Sequence, residues 1–124
     1  MVELPELDPI YLALRSEGDV VVAAFKLDRI TEEDNIEQLG HELFSIVDQQ
    51  DCRKLVIDLQ NIEYVTSSVI GKLISLHRKL HRQKGQLILC SLSAKLEDVL
   101  RTSRLIDYFQ TAPTVDEGIA RLGE

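Results

Sequence analysis

The sequence predicts an α/β fold built on a mixed sheet, with an antiparallel hairpin first, parallel strands after it and about four helices. Three observations carry this prediction. Short β-rich apolar runs alternate with longer stretches whose apolar residues recur at helical spacing. The first two runs stand on either side of a turn-forming tetrapeptide. Threonine or serine heads each helical stretch, where a hydroxyl can cap the unpaired N–H groups of a first turn. Strand–helix–strand units of this kind make right-handed crossovers and leave their strands parallel.

Ile10 to Arg15 and Val20 to Phe25 are the opening strands, joined through Ser16-Glu17-Gly18-Asp19. Thr31, followed by Glu32, Glu33 and Asp34, supplies a cap and an acidic first turn. The helix it opens carries Ile36, Leu39, Leu43, Ile46 and Val47 as one apolar stripe that must pack on a sheet. Lys54 to Leu59 reads as a buried strand. Thr66-Ser67-Ser68 then leads into a helix from Ser68 to Lys84 with a stripe of Val69, Leu73, Ile74, Leu76 and Leu80, and Gly85 is placed to end it. Gln86 to Cys90 is the fourth strand. Ser93 caps a third helix that runs to about Ser103, and Thr114 caps a last one over Val115 to Leu122. A short apolar link around Tyr108-Phe109 joins these two helices.

The 124 residues suffice for one domain with a core that needs no staple, and residues 1–9 form an acidic lead interrupted by prolines. That lead lacks the basic flank and apolar centre of a signal peptide, and no apolar run nears the roughly 20 residues of a membrane span. A cytoplasmic location without membrane insertion is expected. Cys52 and Cys90 lack C-x-x-C spacing and read as free thiols of a reducing compartment.

The net charge of −7 is unevenly spread. Met1 to Val65 holds 15 acidic and 5 basic residues, whereas Thr66 to Gly85 holds no acid and five cations: Lys72, Arg78, Lys79, Arg82 and Lys84. Bulk acidity argues against nucleic acid as a partner. The cationic stretch reads as a solvated helix surface, with its late cations near the negative end of the dipole.

Two serines at a strand-to-helix junction can cap the helix, and the same place receives a phosphate well, because unpaired N–H groups and the positive dipole end meet there. Enzymatic readings find less support. His77 and His81 stand four apart on a helix, a separation that lets two imidazoles share a metal, but no glutamate follows His77, and solvated helix residues are the reading adopted. Ser75 has no glycine elbow around it, and no phosphate-binding glycine loop occurs. Asp58, at a strand end, reads as satisfying nearby backbone donors. A protein without catalytic activity, metal or cofactor is expected.

The order of elements resembles the STAS domain, the fold of bacterial anti-sigma factor antagonists, from about Tyr11 to Leu122. The resemblance lies in the hairpin, Val56-Ile57-Asp58-Leu59, the serine pair, the basic helix, Gly85, Leu87-Ile88-Leu89-Cys90-Ser91-Leu92 and Leu96-Glu97-Asp98-Val99-Leu100. In that family the junction typically reads Asp-Ser-Ser-Gly with a further glycine close behind, and the first serine is phosphorylated by a kinase that is also the anti-sigma factor. Here the matching residues are Thr66, Ser67, Ser68 and Val69, with Gly71 as the later glycine. The resemblance therefore implies Ser67 as the phosphorylated residue, with Thr66 and Ser68 as alternatives. Lys26-Leu27-Asp28 and Glu33-Asp34-Asn35 are similar to the family's partner-binding loop beside that serine. Arg104-Leu105-Ile106-Asp107-Tyr108-Phe109 is similar to the family's Thr-Gly-Leu and later aromatic.

The reading that follows is a single STAS-type domain acting by partner switching. Its contact residues are Asp28, Asp34, Asn35, Thr66, Ser67, Ser68, Gly71 and Lys72. Its implied partners are an anti-sigma factor that is itself a serine kinase of the ATPase type and, where it is phosphorylated, a phosphatase that resets it. The alternative is an unphosphorylated adaptor subunit of a signalling scaffold or lipid-transport complex, because some relatives carry threonine in this loop. Other STAS domains have been linked to nucleotides or lipids, but no sequence feature here defines such a pocket.

Overall fold

The computed structural model describes residues 11–26, 29–30, 33–50, 52–62 and 64–122. The expected lead over residues 1–9 lies outside them. The hairpin is β1 (Leu12–Glu17) with β2 (Val20–Phe25), paired antiparallel from Leu12↔Phe25 to Glu17↔Val20. Ser16 and Glu17 belong to the strand, so the turn is shorter than the tetrapeptide suggested. Gly18 takes a φ of +65°, as a two-residue turn with glycine in its first central place requires. Asp19, beside it, pairs with Lys54 at 3.1 Å, and that hydrogen bond holds its carboxyl below the usual range.

The chain continues through β3 (Arg29–Ile30), α1 (Glu33–Gln50), β4 (Lys54–Asp58), β5 (Tyr64–Val65), α2 (Ser67–Arg82), β6 (Gln86–Cys90), α3 (Ala94–Thr102), β7 (Gln110–Ala112) and α4 (Val115–Leu122). The main sheet has the order β1-β2-β4-β6-β7, parallel from β2 onward, and β3 pairs with β5 in a separate parallel ribbon. The strand at β7 and the β3–β5 ribbon were not anticipated. Their two or three residues show no alternation of their own, and the Tyr108-Phe109 link proves to be the approach to β7.

Alternation along the strands sorts the core into two layers. Val21, Ala23, Phe25, Leu55, Ile57, Leu87 and Leu89 face α1, α2 and α3, where Leu39, Leu43, Ile46, Val69, Leu76 and Leu80 are wholly or almost wholly buried. Val20, Val22, Val56, Ile88 and Cys90 face α4 alone. That face is closely packed: a Cβ on Gly118 would lie 2.4 Å from the Cys90 sulfur. α1 and α2 follow parallel strands and run the same way, with Lys72 bound to Glu37 at 3.1 Å near their starts and Lys79 to Asp48 at 2.8 Å near their ends. No helix among the described residues is long and apolar enough to cross a membrane.

Gly85 does its work differently from the expectation. Lys84 is the residue in the left-handed conformation, at a φ of 62°, and the Gly85 N–H closes the helix onto the Leu80 carbonyl at 2.7 Å. Glycine is needed at 85 because a Cβ there would sit 2.6 Å from the Arg53 carbonyl oxygen. The helix accordingly ends at Arg82 and begins at Ser67, one residue earlier than its spacing suggested.

Candidate functional site

The junction before α2 is built by Thr66. Its backbone is extended, with φ −87° and ψ 165°, and its Oγ1 accepts a long hydrogen bond from the Val69 N–H at 3.4 Å. Thr66 thus takes the capping role, while Ser67 and Ser68 occupy the first two helical positions with exposed side chains. The first turn carries no acid. Two exposed hydroxyls therefore stand where unpaired N–H groups and the positive dipole end concentrate.

The two positions that depart from the family's junction are explained by their surroundings. Thr66 supplies a capping oxygen, the service an aspartate performs in that place. Val69 is fully buried and belongs to the core under the helix, so the position is filled by packing.

Around this start, the cap Thr66, Ser68, Gly71, Lys72 and Ser75 of α2, and Ile36 and Glu37 of α1 line an open cleft of about 660 Å³. Ser75 is a site residue that the sequence reading misses; its seven-residue spacing from Ser68 puts it on the same helical face, which is the signal that locates it here. Nothing lies within 4 Å of a Cβ placed on Gly71, so the fold itself does not demand glycine there.

The other named residues divide into those the structure brings near and those it uses internally. The β3–β5 ribbon pairs Arg29 with Tyr64 and Ile30 with Val65, which ties the segment after β2 to the residues just before Thr66. Asp28 lies outside the described residues, and Asp34 is placed by its backbone in the first turn of α1. Asn35 is engaged within the protein, its Oδ1 accepting a 2.6 Å hydrogen bond from the Tyr11 hydroxyl. Tyr11 also donates its N–H to the buried Glu42 at 2.9 Å, and Glu42 is further bonded by Gln38. Lys72 lays its stem across Gly40 to reach Glu37, so its charge is shared with α1.

The histidine pair divides, His81 being exposed as expected of it and His77 half-buried. His77 and His81 stack with ring centres 6.3 Å apart, and His77 packs against Tyr108 at 4.9 Å and Phe109 at 5.8 Å. Burial lowers the His77 pKa, and His81 lowers it further. Asp58 accepts the Gln60 N–H at 3.0 Å, as its place at a strand end suggested. Burial first and Asp58 second push the Cys90 thiol up to about 11, leaving it an unreactive core residue.

Comparison with known proteins adds the lineage. BtrV of Bordetella bronchiseptica, a candidate anti-sigma factor antagonist, is 31% identical over 78 residues, which are 63% of this chain and 66% of that protein. Among solved structures, the fold matches a candidate anti-sigma factor antagonist of Thermotoga maritima with a TM-score of 0.81 at 18% identity, over 91% of this chain and 95% of that one. It also matches the Bacillus cell fate determinant SpoIIAA in its phosphorylated form, with a TM-score of 0.68 at 21% identity, over 89% of this chain and 97% of that one. The family model described as the STAS domain matches residues 12–118. With the hairpin, the parallel strands and the capped junction inside that span, the chain belongs to the STAS domain family.

Proposed function

We propose that this protein is an anti-sigma factor antagonist-like regulator, not an enzyme, which works by protein–protein partner switching and is controlled by phosphorylation of Ser67. One observation carries the reading. Ser67 is exposed at the first position of α2, and Thr66 already supplies the cap, so the Ser67 hydroxyl is not needed to hold the helix. A phosphate there adds about −1.5 to −2 charges and three acceptor oxygens, which the helix start receives without unfolding. The same charge repels a partner seated over the junction. A hundredfold loss of binding needs only about 2.7 kcal/mol of differential affinity, within reach of one charged group at an interface.

The partners that fit are an anti-sigma factor with serine-kinase activity of the ATPase type and a phosphatase that resets the switch. The contact residues of this reading are Thr66, Ser67, Ser68, Gly71 and Lys72, together with Asp28, Asp34 and Asn35. A protein of this fold is known in a phosphorylated form, and a relative 31% identical is a candidate anti-sigma factor antagonist.

The test is peptide-level mass analysis of the protein from its native cell, with and without phosphatase, combined with binding of the kinase-type anti-sigma factor to Ser67→Asp and Ser67→Ala variants. A removable phosphate on Ser67, and roughly hundredfold weaker binding by Ser67→Asp alone, are expected. No phosphate on Thr66, Ser67 or Ser68 across growth and stress conditions, with Ser67→Asp binding unchanged, would reject the switch and favour the constitutive adaptor.

A further inference from the structure

The second half of α2 carries a surface that the junction does not use. Of the five cations from Thr66 to Gly85, Lys72 and Lys79 are paired with α1, whereas the exposed Arg78 and Arg82 have no ion pair among the described residues. Helical spacing puts these two arginines on the outward row of the helix, opposite its buried stripe. The row of His77 and His81 lies alongside, the two rings stacked on each other and His77 tilted against Tyr108. Tyr108 and Val99 are the exposed large hydrophobic residues of the described chain, each at 39%. Buried Nδ1 of His77 has no hydrogen-bond partner among the described residues. Unpaired arginines beside a held but exposed tyrosine form the composition that concentrates binding energy at protein interfaces.

We propose that the outward face of α2 around Arg78 and Arg82, together with Tyr108, is a second protein-contact surface that takes an acidic segment of a partner protein. Charge selects the occupant. No acid lies between Thr66 and Gly85, so α2 brings only positive charge to the patch, Arg78 and Arg82 against the single exposed Asp107 next to Tyr108 in sequence, within a chain whose net charge is −7. Such a patch attracts a short acidic stretch, while the molecule as a whole repels a long, densely charged polyanion. Exposed Tyr108 gives that stretch an apolar anchor. From Ser67 to Arg78 the helix rises about 16 Å, roughly two Debye lengths at physiological salt. The surface therefore operates whether or not Ser67 carries a phosphate, and it stands apart from the function proposed above.

Isotope-labelled full-length protein titrated with a synthetic peptide bearing glutamates and leucines in helical register tests this by amide chemical shifts. Saturable shifts at Arg78, His81, Arg82 and Tyr108, weakened by salt, are expected. Arg78→Glu with Arg82→Glu should weaken the peptide by about tenfold or more, and Tyr108→Ser by a smaller factor, with circular dichroism showing the fold intact. Ser67→Asp should leave the affinity within about twofold. Shifts confined to Ser67–Gly71, no saturable shift at any salt, or tighter binding of an oligothymidylate than of the peptide at this patch would each overturn the proposal. So would peptide binding unaffected by the arginine reversals, provided the variants remain folded.

Discussion

Two glycines of α2 and its end show how one residue type serves opposite ends. Gly85 is required by the neighbouring Arg53 carbonyl, 2.6 Å from where a Cβ would stand. Backbone cannot step aside as a flexible side chain can, so Gly85→Ala should cost roughly 2 kcal/mol, read as a fall in the denaturant midpoint at unchanged slope. Gly71 meets nothing, and Gly71→Ala should stabilise the domain by about 1 kcal/mol. A loss on Gly71→Ala would mean that the exposed start of α2 is not regular helix. The sequence could place both glycines but could not assign their reasons, since a close approach between Gly85 and Arg53 exists only after the sheet has formed. His77 is a similar case. Its burial against Tyr108 and Phe109 depends on a turn about 30 residues downstream that helical spacing does not reveal. Because its folded pKa lies below the ordinary 6.5, the unfolded chain binds that proton more readily. Its stabilising effect is complete above 6.5 and is lost as pH falls through that value toward the folded pKa. Thermal melts from about pH 7 down to about pH 5 should therefore decline more steeply for the natural protein than for His77→Gln. Equal slopes would refute this.

At the scale of elements, the long amphipathic helices and buried strands were legible because their periodicity is set by burial on one face. Thr114 and Ser93 cap as read, accepting the N–H of Glu117 at 3.1 Å and of Leu96 at 3.1 Å. The short elements were not legible, since two or three residues hold a strand only through a partner distant in sequence. β7 is one of these, and it lies at the sheet's edge. The Ala112 carbonyl bonds inward to Ser91, so alternation turns the Thr111 carbonyl outward, where Arg121 donates to it at 2.6 Å and also pairs with Glu117 at 3.1 Å. An exposed edge is a template for unwanted pairing, and an arginine laid over it blunts that hazard. Arg121→Ala should lower stability by about 1 kcal/mol or less, since these groups are solvent-exposed, while raising light scattering during slow heating. Unchanged scattering would show that the three-residue edge is too short to recruit a second chain. The candidate site follows the same division. Its helix start was visible in the sequence, whereas the ribbon joining Arg29–Ile30 to Tyr64–Val65 was not.

For the whole molecule, an acidic first half faces a helix with no acid; the ion pairs of Lys72 and Lys79 link the two, and that of Lys54 with Asp19 lies within the acidic half. Each pair has an acid more than half exposed and contributes little by itself. Self-repulsion from the net charge of −7 should outweigh them, so moderate salt is expected to raise the melting temperature by screening it. A steady fall with salt would give the pairs the larger share.

The ribbon of β3 and β5 has a consequence for what the protein can report. It joins segments 35 residues apart at the threshold of α2, and those segments meet only when the first crossover has closed behind α1. Helix and serines could form early from local sequence, but the composite face beside them is absent from any chain whose amino-terminal half has not docked. A partner that reads both segments is therefore blind to nascent, truncated or heat-opened copies, and the signal such a domain transmits counts only its finished molecules.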